Sequence, residues 1–229
     1  MPDRSLSLAS RAALGLVGLL AAMAAALFLS AGSLAYWQGW ASLFTFALCS
    51  GWVTAWLARR DPALLRRRLN AGPAAERDPR QKAIQAVASA IFLGLLIVPG
   101  FDHRFGWSRM PLPLLGLGHA LMVAGYAGVL AAFRENSFAS SVVEVAAGQK
   151  VVETGPYAVV RHPMYAAALP LCLGIPLALG SFWGLLLVPA MGATLALRLV
   201  EEERTLADRL PGYAAYRRRV RWRLVPGVW

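Results

Sequence analysis

Six apolar stretches, most of them near the length of a bilayer-spanning helix, dominate this chain: Ala12–Leu34, Gly39–Ala58, Ala83–Phe101, Leu112–Phe133, Tyr165–Leu179 and Phe182–Leu199. A spanning helix needs about 20 mostly apolar residues. None of the six shows the period-2 alternation of a barrel strand, so the spans are read as helices. Composition agrees: 58% of the 229 residues are hydrophobic and 15% charged, with a mean hydropathy of +0.52. Soluble domains carry roughly 45–50% and about 25%. A disordered chain is excluded, and so is a disulfide scaffold, because Cys49 and Cys172 both lie inside apolar stretches. The expected fold is all-α, a polytopic transmembrane bundle of about six spans. The fifth is short and is separated from the sixth by Gly180-Ser181 alone, which predicts a tight helical hairpin. The first run is too long for the apolar core of a cleaved signal peptide, about 7–15 residues, and a second span follows at once.

The net charge of +11 is distributed unevenly. Every Lys and Arg except Arg104 and Arg109 falls in the N-terminus, the 59–82 segment, the 134–163 segment or the region from the end of the sixth span onward. With six spans these regions share one side, and the excess of basic residues predicts that both termini are cytoplasmic. Trp37, Trp40, Trp107, Trp183, Trp222 and Trp229 sit at or just beyond span ends, as interfacial anchors do. Nucleic-acid binding would need a contiguous basic face with reading elements, and none is visible.

Several polar groups have plain readings. Arg59-Arg60-Asp61-Pro62 and Arg66-Arg67-Arg68 read as a solvated linker that attracts anionic headgroups. Asp102 and His103 are placed to pair in a turn on the opposite side. His119, inside the fourth span beside Gly116, Gly118 and Gly125, reads as an imidazole bonding a neighbouring helix where glycines allow close packing. No group of His, Cys, Asp and Glu has metal-ligand spacing, so no structural metal is expected.

Two polar clusters carry more information. The first is Gly155-Pro156-Tyr157 followed by Arg161-His162-Pro163-Met164-Tyr165. Pro163 suits the first turn of a helix, which makes His162 its N-cap. The N–H groups of that helix start bind anions, including a carboxylate. Tyr157 and Tyr165 can hold a cation such as a sulfonium on their faces. On these residues alone, a capped helix start with interfacial tyrosines is the plainer account. The second cluster is Arg198-Leu199-Val200-Glu201-Glu202-Glu203-Arg204. Arg198 and Glu202 are four apart and share a helix face, while Glu201 and Glu203 point elsewhere. Three acids at a helix C-terminal end oppose its dipole, which a structural membrane exit would avoid. The hairpin brings the two clusters to the same side, so His162, Tyr165, Arg198 and Glu202 are expected to converge on one pocket. Beyond a break at Leu210-Pro211-Gly212, Tyr213 to Val220 reads as a basic amphipathic segment on the membrane surface that also covers the pocket.

Taken in order, Asn136-Ser137-Phe138, Gly155-Pro156-Tyr157, Arg161-His162-Pro163-Met164-Tyr165, the Arg198–Glu203 cluster, and the Tyr213/Tyr216 tail running to Val220 and Pro226 resemble the isoprenylcysteine carboxyl methyltransferase family of integral membrane enzymes. The likeness covers about 95 residues by spacing, and the first two spans carry none of it. It implies a helical membrane fold that uses S-adenosylmethionine without a Rossmann domain, and no G-x-G-x-x-G follows a strand pattern here. It also implies a division into a four-helix membrane region, 1–133, and a methyltransferase-like region, 134–229. By the same likeness Glu144, Gln149, Val151, Val152, Tyr157, His162, Pro163, Met164, Tyr165 and Glu202 would bind the donor. Arg198, with Glu202 the expected catalytic pair, would face a lipophilic acceptor and orient its carboxylate through a bidentate pair. Membrane lipids are the other expected partners. The alternatives are an NADPH-dependent membrane reductase of the sterol-reductase kind, with Arg217 to Arg223 on the nucleotide, and a non-enzymatic scaffold or transporter.

Overall fold

The computed structural model describes residues 6–76, 78–143 and 145–229. Nine helices follow one another in the described residues: α1 Leu8–Ala31, α2 Trp37–Arg60, α3 Pro62–Leu69, α4 Pro79–Phe105, α5 Leu112–Glu135, α6 Pro163–Ala178, α7 Phe182–Leu185, α8 Val188–Arg209 and α9 Tyr213–Arg219. Single 3-10 turns occupy Pro73–Ala75 and Gly155–Ala158, and the described residues contain no strand. α7 and α8 run on as one 28-residue apolar rod, Phe182–Arg209. With α1, α2, α4 and α5 it makes five helices long and apolar enough to cross a membrane. Leu14, Val17, Leu29, Phe44, Leu48, Trp52 and Leu197 point outward and are exposed, as a surface solvated by lipid tails requires. The protein is an integral membrane protein.

α6, the expected fifth span, has 16 residues. At about 1.5 Å per residue it reaches roughly 24 Å, short of a hydrocarbon core about 30 Å thick. It is buried on most of its surface and packs along α5 backbone to backbone. A Cβ on Gly118 would come 2.3 Å from the Ala178 nitrogen, one on Gly125 2.8 Å from the Ala167 carbonyl, and one on Gly174 2.6 Å from the Gly118 carbonyl. Small residues bring apolar helices close in the absence of a hydrophobic driving force between them. Gly116, by contrast, faces open space. His119 Nδ1 lies 3.0 Å from Thr45 Oγ1 on α2, the interhelical bond expected of it.

The two ends of the bundle are built differently. At one end Asp102, 2% exposed, accepts from Ser108 N at 2.7 Å, Ser108 Oγ at 2.6 Å and Ser181 Oγ at 2.5 Å. This ties α4 to the α6–α7 turn, where Gly180 adopts φ +77°. His103 does not pair with Asp102, contrary to expectation. Adjacent residues on a helix diverge in direction, and the His103 ring stacks on Tyr36, whose hydroxyl donates to the Leu179 carbonyl. At the other end the start of α1, the 59–82 segment, the 136–162 loop and the tail meet. Ala12 packs with Leu57, Leu64 and Leu65, Arg67 Nη1 donates to the Ser137 carbonyl, and the N–H groups of Arg161 and His162 donate to the carbonyls of Trp222 and Arg223. The regions that hold nearly all the basic residues therefore share one end of the bundle.

The 59–82 linker is more than a solvated connection. Asp61 caps α3 through Leu64 N, and Leu64 and Leu65 are buried. The Arg68 guanidinium stacks over Phe133 at 5.1 Å and donates to the Ser140 carbonyl.

Candidate functional site

At this second end lies a cavity enclosing about 790 Å³ of atom-free space, mouth included. Gln149, Val151, Val152, Tyr157, His162, Pro163, Met164, Tyr165, Arg198 and Glu202 all line it. The two sequence clusters, one at the start of α6 and one near the end of α8, thus form opposite walls of one chamber. Glu144 lies outside the described residues.

Local sequence explains the placement. Gly155 adopts φ +56° and its α-carbon abuts the Glu135 side chain, while Thr154 Oγ1 donates to Glu135 Oε2 at 2.5 Å. The loop therefore turns back across the end of α5 and delivers Tyr157 to the cavity. Asn136 Nδ2 donates to the Tyr157 hydroxyl at 3.1 Å. Burial pushes the Tyr157 phenol up to about 12, with the Asn136 bond opposing the rise, so it is neutral at ordinary pH and keeps its proton to donate. His162 occupies the N-cap position of α6 but does not cap it with its side chain. The first-turn N–H groups thereby remain open beside Pro163, Met164 and Tyr165 on the cavity wall.

The acidic run divides as helix geometry requires. Tyr165 donates to Glu202 Oε2 at 2.7 Å, and His162 Nδ1 lies 4.0 Å from Glu202 Oε1. Glu203 turns the other way and is 3% exposed. It accepts from Arg161 Nε at 2.6 Å and Arg223 Nε at 2.9 Å, and lies 3.3 Å from His162 Nε2. Arg161 also donates to the Val220 and Arg221 carbonyls. Glu203 is thus the anchor that straps the tail over the site. Glu201 stays at the surface with Arg204.

Arg198 is 6% exposed and has several protein partners. Its Nε donates to the Tyr165 hydroxyl at 3.1 Å, its Nη2 to Glu76 Oε1 at 2.6 Å and the Ser141 carbonyl at 2.8 Å, and its Nη1 to Gln81 Oε1 at 3.4 Å. One Nη1 hydrogen is left over. A bidentate grip on an incoming carboxylate would require Arg198 to release Glu76 or Tyr165.

Sequence reasoning missed Glu76 and Gln81 altogether, and took Arg68 for linker. The hint was Glu76, the one glutamate in a segment dominated by arginines. Tyr213 and Tyr216 close the cavity from the tail side, with the Tyr216 hydroxyl donating to the Tyr157 carbonyl at 2.8 Å. The Tyr213 side chain is buried, and its hydroxyl has no hydrogen-bond partner among the described residues. An unpaired buried hydroxyl on a cavity wall is a vacant contact for a ligand.

No curated protein matches the chain. The family model described as phospholipid methyltransferase matches residues 114–210, a stretch running from α5 through the cavity loop to the end of α8. That segment, which holds every cavity-lining residue except Tyr213 and Tyr216, is similar to a family of membrane methyltransferases.

Proposed function

We propose that the protein transfers a methyl group from S-adenosylmethionine to a lipophilic acceptor, with a carboxylate of the prenylcysteine type as the group methylated. The observation that carries this reading is the convergence of the α6 start and the Arg198–Glu202 face of α8, some forty positions apart, on one cavity. The residues present fit the donor. The uncapped α6 N-terminus suits its carboxylate, and Glu202 accepts from its amino or ribose groups. The Tyr157 and Tyr165 rings suit a sulfonium, an interaction of about 0.5–2 kcal/mol. Val151, Val152, Met164, Leu206 and Leu210 offer apolar walls to the base, and the Tyr213 hydroxyl offers the unspent hydrogen bond.

When bound, the donor supplies an electrophilic methyl on a positively charged sulfur. The residues of this chain then have three tasks. Glu202, Tyr157 and the α6 start fix the donor's orientation, and Arg198 fixes the acceptor with its remaining Nη1 hydrogen. Holding two reactants near attack geometry lowers a barrier by about 7–11 kcal/mol. A carboxylate acceptor is already ionised, so no general base is needed. The Tyr213–Tyr216 cover excludes water, which favours a step in which opposite charges cancel. A lipophilic acceptor enters from the bilayer and the water-soluble donor from the face that carries the termini, here proposed as cytoplasmic. Residues 134–229 provide the donor machinery and residues 1–133 the membrane frame.

The test is calorimetric titration of the purified full chain with S-adenosylmethionine and separately with NADPH, for the wild type, His162→Ala and Glu202→Ala. Donor binding by the wild type, weakened in Glu202→Ala, supports the reading. NADPH binding without donor binding overturns it in favour of a reductase, and equal donor affinity in both folded variants removes the site from the mechanism.

A further inference from the structure

A second cavity of about 1,220 Å³ of atom-free space, mouth included, lies between the start of α4, the end of α8 and the 142–145 loop. It adjoins the first: Val142 and Val143 line both. The dividing wall is polar, because Arg198, on the first cavity, donates to Glu76 and Gln81, which line the second.

Gln81 is the unusual element of that wall. It is 2% exposed, and its Nε2 has no hydrogen-bond partner among the described residues. Its amide orientation is fixed by chemistry: Oε1 faces the Arg198 guanidinium, and the flipped amide would set N–H against N–H. Buried side-chain donors are nearly always paired with protein, water or a ligand, so Nε2 is free to take an acceptor from outside the chain. That partner must present an oxygen acceptor. The charge of the cavity narrows its class. Glu76 is neutralised by Arg198, and the other charged lining residues described are one acid, Asp78, and one base, Arg209. A balanced wall suits a net-neutral, dipolar head better than a bare anion.

We propose that the second cavity is a recognition subsite for the head group of the acceptor, and that Gln81 is its specificity-determining residue, donating from Nε2 to an oxygen of that group. The proposal rests on the methyl-transfer reading above. No bond is made or broken in this cavity; it supplies binding energy remote from the reacting atom, which holds the acceptor in place. The shared chemistry, an oxygen acceptor within a dipolar head, comes either from the amide of a lipidated amino acid or from a zwitterionic phospholipid.

The experiment uses the full chain in detergent with saturating S-adenosylhomocysteine, titrated with N-acetyl-S-farnesylcysteine and, separately, with dihexanoylphosphatidylethanolamine. The variants are Gln81→Leu, which removes the amide, and Gln81→Glu, which keeps an acceptor for Arg198 but has no N–H to donate. At least one probe binds the wild type, and both variants weaken it by about tenfold or more. The probe that responds identifies the source of the head group. S-Adenosylhomocysteine affinity falls less than probe affinity, because Gln81 reaches the donor site only through Arg198. The melting temperature of ligand-free Gln81→Leu falls little, because removing the unpaired donor offsets the loss of the long, 3.4 Å bond from Arg198. Equal probe affinity in wild type and both variants overturns the proposal, as does a wild type that binds S-adenosylhomocysteine but neither probe. A wild type that binds a probe through Gln81 yet no S-adenosyl compound leaves the subsite standing and overturns the methyl-transfer reading instead.

Discussion

Glu202 and Glu203 are neighbours in sequence with opposite duties, and exchanging each for glutamine separates binding from architecture. The Glu203 side chain is 4% exposed and serves Arg161, His162 and Arg223, of which Arg161 and His162 are themselves buried. Removing one partner of a buried ion pair costs about 3–5 kcal/mol, because the opposite charge is left uncompensated. Here the lower end applies. Arg161 retains the Val220 and Arg221 carbonyls, and a glutamine keeps one acceptor oxygen. About 3 kcal/mol over a chain of this size lowers the melting temperature by about 6–12 °C. The loss is centred on the strap, so trypsin cleavage at Arg217–Arg223 accelerates before the bundle melts. The Glu202 side chain is 25% exposed, with the Tyr165 hydroxyl as its one hydrogen-bond donor within 3 Å among the described residues. Glu202→Gln therefore melts within about 1 kcal/mol of the wild type but loses about tenfold in donor affinity. Differential scanning fluorimetry, limited trypsinolysis and donor titration on both variants decide the matter. If Glu203→Gln melts like Glu202→Gln and its tail resists trypsin equally, the assignment of Glu203 as strap anchor is refuted.

Other outcomes follow from the same geometry. Gly118→Val drives a side chain into the Ala178 backbone and lowers the yield of folded protein, whereas Gly116→Val, which faces open space, is silent; size-exclusion profiles of the two compare them directly. Tyr157→Phe removes the hydroxyl bonded by Asn136 and weakens donor binding by a few-fold with little change in melting. Burial raises the Tyr157 phenol from its ordinary value of about 10 to about 12. Its contribution to stability is therefore fully present below pH 10 and is lost as pH rises from about 10 through 12. Melting curves at pH 7, 10 and 12 show this as wild type and Tyr157→Phe melting close together at pH 7 and the wild type falling below the variant at pH 12. Arg198→Lys loses the planar fork that joins Tyr165, Glu76 and Ser141, so product formation falls at least about tenfold, while donor affinity, measured by titration, changes less.

The long spans were legible because each is a continuous apolar block, and the two-ended layout followed from where the arginines lie. The cavity was legible for a local reason. His162-Pro163 marks a helix start, Arg198 and Glu202 share a face, and the two-residue turn at Gly180-Ser181 forces their helices antiparallel. What escaped was long-range and side-chain-specific. No spacing rule links Glu76 to Arg198 or Gln81 to the cavity wall, since these contacts bridge more than a hundred positions and depend on how the linker folds under the bundle. The Asp102–His103 pairing failed because proximity along the chain was mistaken for proximity in space, when Ser108 and Ser181 reach the carboxylate instead. The shortness of α6 was visible in its length, but its consequence, backbone contact with α5 through Gly118, Gly125 and Gly174, needed the coordinates.

The central claim is that the α6–α8 cavity holds S-adenosylmethionine for transfer of its methyl group to a lipid-phase acceptor. Membranes containing the protein, incubated with methyl-tritiated donor and then extracted with organic solvent, test it most directly. The account predicts label in the lipid phase for the wild type, and near-background label for Glu202→Ala present at equal amount. Equal labelling by wild type and Glu202→Ala, or none by a wild type shown to be folded and supplied with native lipid extract, would contradict it.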